Sequence, residues 1–289
     1  MTTTHPTLSR LRRNRKALLS VVALALITLA AVAGPYLWTL SPAQGNYSST
    51  LAFPSVAHPL GTDSLGRDTL ARLLAGLRVT LAVALIVELI NVVLGVTVGL
   101  AAGYYGGAVD QFLSRLTDLL FAFPGILFAI LIAGVFGPAV SQAYGGAGRL
   151  MLTAGALALI SWPLMARYVR GTVLTLKARD FVEASRALGA SSTYIIWRVL
   201  LRNLVGVVIV TATLDLANVI ISEATLSLLG LGIQPPGSSL GLMINDAKSY
   251  LSTNFTQTLF PGLVIIVLVL LVSFLGDALR DVFDPKSRT

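Results

Sequence analysis

Residues 79–102 read VTLAVALIVELINVVLGVTVGLAA and carry a single ionisable side chain, that of Glu88. A helix needs roughly 20 predominantly apolar residues to cross the hydrocarbon core of a bilayer, and this segment reaches that length. Only 12% of the 289 residues are charged, whereas about a quarter is usual for a soluble domain. The segment and the composition together predict a protein that is embedded in a membrane.

Five other segments are long and apolar enough to be membrane-spanning helices. We therefore predict an all-α membrane protein with six transmembrane helices. The predicted helices are Ala17–Leu40, Val79–Ala102, Leu116–Phe136, Leu150–Val169, Leu204–Ile221 and Phe260–Leu275. The first follows a basic stretch and contains Ala31-Val32-Ala33, so a cleavable signal peptide is an alternative. Its apolar run exceeds the roughly 7–15 residues usual in a signal peptide, which favours a retained anchor.

The basic residues predict the orientation of the helices, because Lys and Arg are retained in short cytoplasmic loops. With both termini in the cytoplasm, the inner segments hold sixteen of the 21 Lys and Arg residues. The other five are Arg67, Arg72, Arg78, Arg149 and Lys248. The same retention explains the net charge of +8 without nucleic acid as a partner.

The predicted membrane boundaries divide the chain into segments. These are a basic cytoplasmic tail (1–16), the first transmembrane helix (17–40), an extracytoplasmic loop (41–78), a core of five transmembrane helices (79–280) and a second cytoplasmic tail (281–289). The core includes a long cytoplasmic loop, at 170–203, between the fourth and fifth helices. This loop carries helix signals instead of turn signals.

A short helix, a sharp turn and a second helix are predicted within this loop. One face of the first helix carries Phe181, Ala184, Ala187 and Leu188. Gly189 suits the C-terminal cap of that helix, where a left-handed backbone costs glycine little. Ser191 or Ser192 can cap the second helix.

The stretch from Glu183 to Gly189 resembles the cytoplasmic signature of the membrane subunits of bacterial ABC importers, which is Glu-Ala-Ala, three residues and Gly, with Ser185 in place of the second alanine. The resemblance implies that the loop is a coupling helix, which docks in a groove of a separate ATP-hydrolysing subunit. The residues so implied are Glu183, Ala184, Ser185, Arg186, Leu188, Gly189 and Ala190. The alternative is that Glu183 only balances Arg179 and Arg186 on the same helix.

Three further stretches resemble the C-type permease subunits of dipeptide and oligopeptide importers. They read HPLGTDSLGRD at 58–68, EATLSLLGLGIQPP at 223–236 and GDALRD at 276–281. The resemblance implies a type I ABC importer-like fold whose outer face meets a substrate-binding protein. Residues on the receptor side or in the pathway are then Asp63, Arg67, Asp68, Glu223, Leu228 and Gly230. Without the resemblance, the charges in the first stretch would be a solvated cluster or a local turn brace.

Two acidic residues, Glu88 and Asp215, lie deep in predicted helices, where an ionised side chain costs about 2.5–3.5 kcal/mol. Each can line the translocation pathway or form a structural hydrogen bond to a neighbouring helix, and Asn91 is a candidate neighbour of Glu88. Asp118 lies near a membrane boundary and is expected to pair with Arg115.

The second predicted helix carries a stripe of small residues, because Gly95, Gly99 and Gly103 recur at every fourth position. Such a stripe lets two helix backbones approach each other, so we predict a packing role. Pro124 and Pro163 are expected to kink the third and fourth helices, since proline removes a backbone donor.

The sequence has no phosphate-binding Gly-x-x-x-x-Gly-Lys-Ser/Thr loop, no His-Glu-x-x-His motif, no cysteine and only two histidines. We therefore expect no catalytic residue, no metal site and no cofactor in this chain, so it is not an enzyme by itself. The resemblance implies that ATP and Mg²⁺ are bound by partner subunits.

The resemblance implies a channel-forming subunit of an ATP-driven importer for dipeptides and oligopeptides in the bacterial inner membrane. Its implied partners are a homologous second permease subunit in a heterodimer, two cytoplasmic ATPases and an extracytoplasmic substrate-binding protein. The alternatives are an ion- or proton-driven secondary transporter, for which no clear internal repeat is found, and a membrane scaffold that transports nothing.

Overall fold

The computed structural model describes residues 15–283 and is helical throughout, apart from loops and two isolated β-bridges. Most of the two predicted tails, at 1–16 and 281–289, lies outside these residues. The helices are α1 (Arg15–Leu37), α2 (Thr69–Tyr105), α3 (Gly107–Phe121), α4 (Gly125–Lys177), α5 (Asp180–Ala187), α6 (Ser192–Leu228), α7 (Leu240–Ala247) and α8 (Thr256–Phe283). Within α6, the segment Ile195–Leu200 is wound as a π-helix.

Five of these helices, α1, α2, α4, α6 and α8, are long and apolar enough to cross a membrane. The longest, α4, has 53 residues and reverses direction at Gly145, whose φ is +59°. Beyond the reversal, Arg149 Nη1 donates to Ala133 O at 3.3 Å. A methyl group added to Gly125 would lie 3.3 Å from Ile160 Cδ1. Since these partners would be far apart on a straight helix, α4 is a hairpin with arms at 125–144 and 146–177.

Several helix boundaries differ from those predicted, and two of the differences have a clear local cause. The segment Leu116–Phe136 is not one helix, because α3 ends at Phe121 and α4 begins after Pro124, which stands at its N-cap. Pro124 therefore starts a helix instead of kinking one, since proline disfavours helical backbone in the residue before it. In addition, α2 begins ten residues earlier than predicted, because the Asp68 carboxylate caps it by accepting from the Ala71 N–H at 2.7 Å.

The glycine stripe of α2 packs against the second arm of α4, as predicted. A methyl group added to Gly99 would lie 2.6 Å from Ala166 O and 2.7 Å from Val169 Cβ. Gly95 and Gly103 meet Met165 and Val173 in the same way. The two backbones therefore lie too close for any larger residue at these positions.

The bundle has two ends, which we name by the short helices that they carry. At the α5 end, Lys177 Nζ donates to Tyr104 O at 2.5 Å, and Phe283 packs on Gly206. At the α7 end, Gly34 near the end of α1 packs on Leu74 near the start of α2. Because α1 reaches the α7 end with its C-terminus, its N-terminus and the C-terminus of α8 both lie at the α5 end.

Candidate functional site

The α5 end presents the predicted helix, turn and second helix. Val182 is fully buried and anchors α5 in a cluster with Val173 and Ile195. Gly189 has a φ of +79°, and its N–H donates to Arg186 O at 2.9 Å, so the turn needs the left-handed backbone expected of a glycine cap. The helix that follows begins at Ser191, whose Oγ accepts from the Tyr194 N–H at 3.3 Å.

The predicted apolar face of α5 lies on the surface, and nothing in residues 15–283 covers it. Leu188 is 88% exposed and Phe181 is 41% exposed. Ala184, Ala187 and Gly189 are exposed as well, whereas Ser185 and Ala190 are partly buried. A rigid helix with an uncovered apolar face is suited to contact another protein.

The charged residues of α5 do not pair as the alternative expected. The Glu183 carboxylate forms no ion pair with any side chain of residues 15–283, so it balances neither Arg179 nor Arg186. The Arg186 guanidinium lies instead 5.6 Å from the centre of the Tyr104 ring. Glu183 therefore stays exposed beside the apolar face of α5.

Ion pairs join α3 to the second arm of α4 beside this surface. Arg170 donates from Nε and Nη2 to both carboxylate oxygens of Asp110, at 2.5 and 2.7 Å, and this contact holds the pKa of Asp110 below its ordinary value. The expected pair of Asp118 with Arg115 is wrong. Asp118 accepts from Arg167 at 2.9 Å, and that guanidinium also stacks 4.2 Å from the centre of the Phe121 ring, which fixes it near the carboxylate.

The α7 end carries a network of four charged residues, three of which are buried. Asp63 Oδ2 accepts from Arg67 Nε at 2.7 Å and from Arg72 Nη1 at 2.5 Å. Arg72 Nη2 also donates to Asp246 Oδ2 at 2.7 Å. Asp63, Arg67 and Arg72 are buried, so the prediction of a solvated cluster is wrong and the turn brace is confirmed. The sequence did not identify Arg72 and Asp246 as its partners, because Asp246 is remote in the chain.

Asp68, in the same motif, ties the loop at 41–68 to two helices. Besides capping α2, its carboxylate accepts from Trp38 Nε1 at 3.0 Å and lies 2.9 Å from His58 Nδ1. Asp68 is 3% exposed. It therefore fixes the end of α1 and the loop at 41–68 to the start of α2.

The motif at 223–236 lies where α6 ends. Glu223 is fully buried and accepts from Thr80 Oγ1 at 2.9 Å and from Ser227 Oγ at 2.7 Å, which links α6 to α2. Beyond it, Leu228 is partly exposed, at 37%, and Gly230 turns the chain with a φ of +75°.

Sequence reasoning missed Arg149, which it counted only as an outer basic residue. Its side chain is buried and donates to three main-chain carbonyls, those of Gly232 at 2.8 Å, Leu231 at 2.6 Å and Ala133 at 3.3 Å. The guanidinium lies against Gly137, and a side chain at that position would occupy the space that the guanidinium fills. The only feature of the sequence that could have identified Arg149 was its position, as a lone arginine beside a predicted helix.

The two acids at membrane depth, treated separately in the sequence, lie together. Asn91 Nδ2 donates to Asp215 Oδ2 at 3.0 Å and to Glu88 Oε2 at 3.5 Å, so Asn91 is a neighbour of Glu88 as predicted. Ser161 Oγ donates to Asn91 Oδ1 at 2.9 Å. Glu88 and Asp215 are each 8% exposed, and this arrangement joins α2, α4 and α6 through side-chain hydrogen bonds.

The chain matches two families. Residues 95–289 match the binding-protein-dependent transport system inner membrane component family, and residues 4–54 match the N-terminal transmembrane domain of oligopeptide transport permease C. The chain is 35% identical over 280 residues to the dipeptide transport system permease protein DppC of Alkalihalophilus pseudofirmus, which covers 97% of this chain and 89% of the relative. It is 37% identical over 279 residues to the glutathione transport system permease protein GsiD of Escherichia coli, with coverage of 95% and 89%.

Solved structures share the fold. A chain of the MetNI methionine ABC transporter in an inward-facing conformation aligns with a TM-score of 0.58 at 24% identity and covers 74% of this chain and 97% of that one. A chain of an amino acid ABC transporter aligns with a TM-score of 0.53 at 18% identity, with coverage of 71% and 91%. The expected likeness to ABC importer permeases is thus confirmed for the fold. The chain belongs to the family of binding-protein-dependent transport system inner membrane components and is a multi-pass permease subunit of the ABC importer type.

Proposed function

We propose that this chain is a channel-forming subunit of an ATP-driven importer of dipeptides and oligopeptides, in which separate subunits bind Mg²⁺ and hydrolyse ATP. The proposed substrate class is supported by the dipeptide and glutathione permeases that it resembles along nearly its whole length. The residues at 79–280 form the permease core, and the loop at 170–203 couples the core to the ATPases.

The observation that carries this proposal is the uncovered apolar face of α5. Leu188 and Phe181 project from a helix whose opposite side is fixed by the buried Val182. Burying an apolar surface of this kind against a partner is favourable. Because Val182 shares one buried cluster with Val173 of α4 and Ile195 of α6, a force on α5 reaches both helices.

The proposed topology has six membrane crossings, with both termini in the cytoplasm. The two arms of the α4 hairpin count as two crossings, and α1 is retained as an anchor. The α5 end is cytoplasmic, which agrees with the sixteen basic residues on that side of the membrane. The N-terminus of α1 and the C-terminus of α8 both lie at the α5 end of the bundle, as such a topology requires.

The α7 end faces outward in this proposal and receives a substrate-binding protein. The motif residues Asp63, Arg67 and Asp68 act there by holding the loop at 41–68 rigid, and do not contact the substrate. That loop projects apolar side chains for a partner, since Phe53 is 60% exposed and Val56 is fully exposed. Leu228 and Gly230 lie at the same end and belong to the outer mouth of the pathway.

A homologous second permease subunit completes the channel, and two ATPases close on ATP beneath it. Nucleotide binding can drive transport only by favouring one arrangement of the helices over the other. The rigid contact of α5 with α4 and α6 supplies the connection through which that preference reaches the membrane core.

Reconstitution in proteoliposomes tests this function. The chain alone, with a proton or sodium gradient, is expected to move no labelled dipeptide. Addition of the second permease subunit, the ATPases, the binding protein and ATP is expected to give uptake. Uptake by the chain alone would identify an ion-driven secondary transporter, and no uptake by the complete assembly would identify a scaffold.

A further inference from the structure

The main chain that follows α6 forms hydrogen bonds on two sides, through Leu231 and Gly232. The N–H groups of Leu231 and Gly232 donate to Leu226 O, at 2.9 and 3.1 Å, so they close the C-terminus of α6. The carbonyl groups of the same two residues point the other way and accept from Arg149. The loop at 229–233 is thus held between α6 on one side and the α4 hairpin on the other.

Arg149 is a buried cation that has no acidic partner among residues 15–283. It is 5% exposed, and its hydrogen bonds go to neutral carbonyls only. A buried charge is costly unless its donors are satisfied, and three donors of the planar guanidinium are satisfied here at once. One of the three reaches Ala133 on the first arm of the hairpin, so the same side chain joins both arms of α4 to the loop.

The hairpin is shaped to admit this side chain. A methyl group added to Gly137 would collide with Nη1 of Arg149. Gly232, on the other side, approaches Ser227 so closely that no side chain fits there. The glycines on both sides therefore let the guanidinium and the loop come together.

We propose that Arg149 is the positioning residue of the outer mouth: it locks the loop at 229–233 to the α4 hairpin, so that the loop moves with the hairpin when the pathway opens and closes. This inference rests on the proposed function. Leu228 and Leu229, which are 37% and 55% exposed, stand at the start of that loop. Without Arg149 they are no longer held in one place, and the outer mouth closes poorly.

The test uses the complete transporter in proteoliposomes and the variants R149M, R149K and G137A. Vesicles preloaded with labelled dialanine report leakage without ATP or binding protein, and ATP-driven uptake is measured beside it. We expect R149M to raise leakage about tenfold and to lower uptake about tenfold, since hydrogen bonds to a charged donor are lost. R149K keeps the charge but not the fork of donors, so it is expected to fall between R149M and wild type.

Two comparisons separate positioning from general damage. R78M removes an exposed arginine at the same end of the bundle and is expected to leave leakage and uptake unchanged. G137A displaces the guanidinium and is expected to reproduce R149M, and the double variant is expected to be no worse than R149M. If R149M assembles poorly, R149K alone decides the question.

The inference would be overturned if R149K and R149M leaked and took up substrate as wild type does. It would also be overturned if the losses of G137A and R149M added up in the double variant. Absence of ATP-driven uptake by the wild-type assembly would overturn the proposed function, and the inference with it. If the wild-type assembly takes up dipeptide and R149M shows the same leakage and uptake as wild type, only the role of Arg149 is overturned and the proposed function stands.

Discussion

At the scale of single residues, the pair of Asp110 and Arg170 makes the contact between α3 and α4 depend on pH. The guanidinium lowers the pKa of Asp110 from its ordinary value of 3.8, so the pair stabilises the folded protein when the carboxylate is ionised. This contribution is fully present above the ordinary pKa and is lost as the pH falls through the lowered pKa of the folded state. The affected window therefore lies below about pH 4.

We expect D110N to lower the free energy of unfolding by about 1 kcal/mol at neutral pH, since the pair is bidentate but partly exposed. The difference in melting temperature between wild type and D110N, measured in detergent, is expected to shrink as the pH falls into that window. D118N is the matched control, because Asp118 and Arg167 are 57% and 53% exposed and contribute little. Equal melting temperatures of wild type and D110N at neutral pH would contradict this prediction.

Gly99 and Gly171 provide a second residue-scale prediction, because both are helical but only one is in close contact. A methyl group at Gly99 meets Ala166 O at 2.6 Å, whereas nothing lies within 4 Å of one at Gly171. We expect G99A to destabilise the protein by about 1–3 kcal/mol through overpacking. G171A is expected to be neutral or slightly stabilising, since alanine favours a helix. Thermal unfolding in detergent compares the two, and equal stability would refute the close contact.

Single residues were predicted well where the signal is local and poorly where it is not. The glycine stripe and the Gly189 cap follow from spacing and turn chemistry along one segment. Asp215 lies 124 positions from Asn91, and Asp246 lies 174 positions from Arg72. The sequence identifies such residues as costly to bury, but their partners depend on how the helices pack.

At the scale of elements, the turn after α5 fixes the angle between α5 and α6. Gly189 has a φ of +79°, and nothing lies within 4 Å of an added methyl group. A β-branched side chain there strains the backbone without a steric clash, at a cost of about 1–2 kcal/mol. We therefore expect G189V to shift α5 and to weaken its association with the ATPases severalfold, while membrane insertion continues.

Pull-down of the ATPases with tagged G189V measures this effect. G107V is the matched control, because Gly107 also has a positive φ, of +53°, and open space around it, but is the first residue of α3. It carries the same kind of backbone strain outside α5 and the turn that follows it. Undiminished recovery of the ATPases with G189V would count against α5 as their contact.

The positions of the apolar elements could be predicted because length and hydropathy are properties of single segments. The boundaries of these elements were harder to predict. The Asp68 cap lengthens α2 beyond its apolar run, and Pro124 divides a continuous apolar stretch into α3 and α4. Both boundaries are set by local backbone chemistry that hydropathy does not report.

At the scale of the whole molecule, the number of crossings depends on the reversal at Gly145. A straight helix of the length of α4 would extend about 80 Å, far more than the roughly 30 Å of a bilayer core. With the reversal, each arm is long enough for one crossing, and Tyr144 at the turn is 74% exposed. The six-crossing proposal therefore requires Tyr144 to lie at the outer surface.

The absence of cysteine from the sequence makes this topology directly measurable. We expect a membrane-impermeant maleimide to label Val56→Cys and Tyr144→Cys in right-side-out vesicles, because both side chains are exposed at the α7 end. Leu188→Cys, 88% exposed on α5, is expected to react only in inverted vesicles or after permeabilisation. Protection of Tyr144→Cys in both orientations would place it inside the bilayer, make α4 a re-entrant hairpin and remove two crossings. Labelling of Leu188→Cys from outside would put α5 beyond the reach of any cytoplasmic ATPase, because the whole bundle would then be inverted.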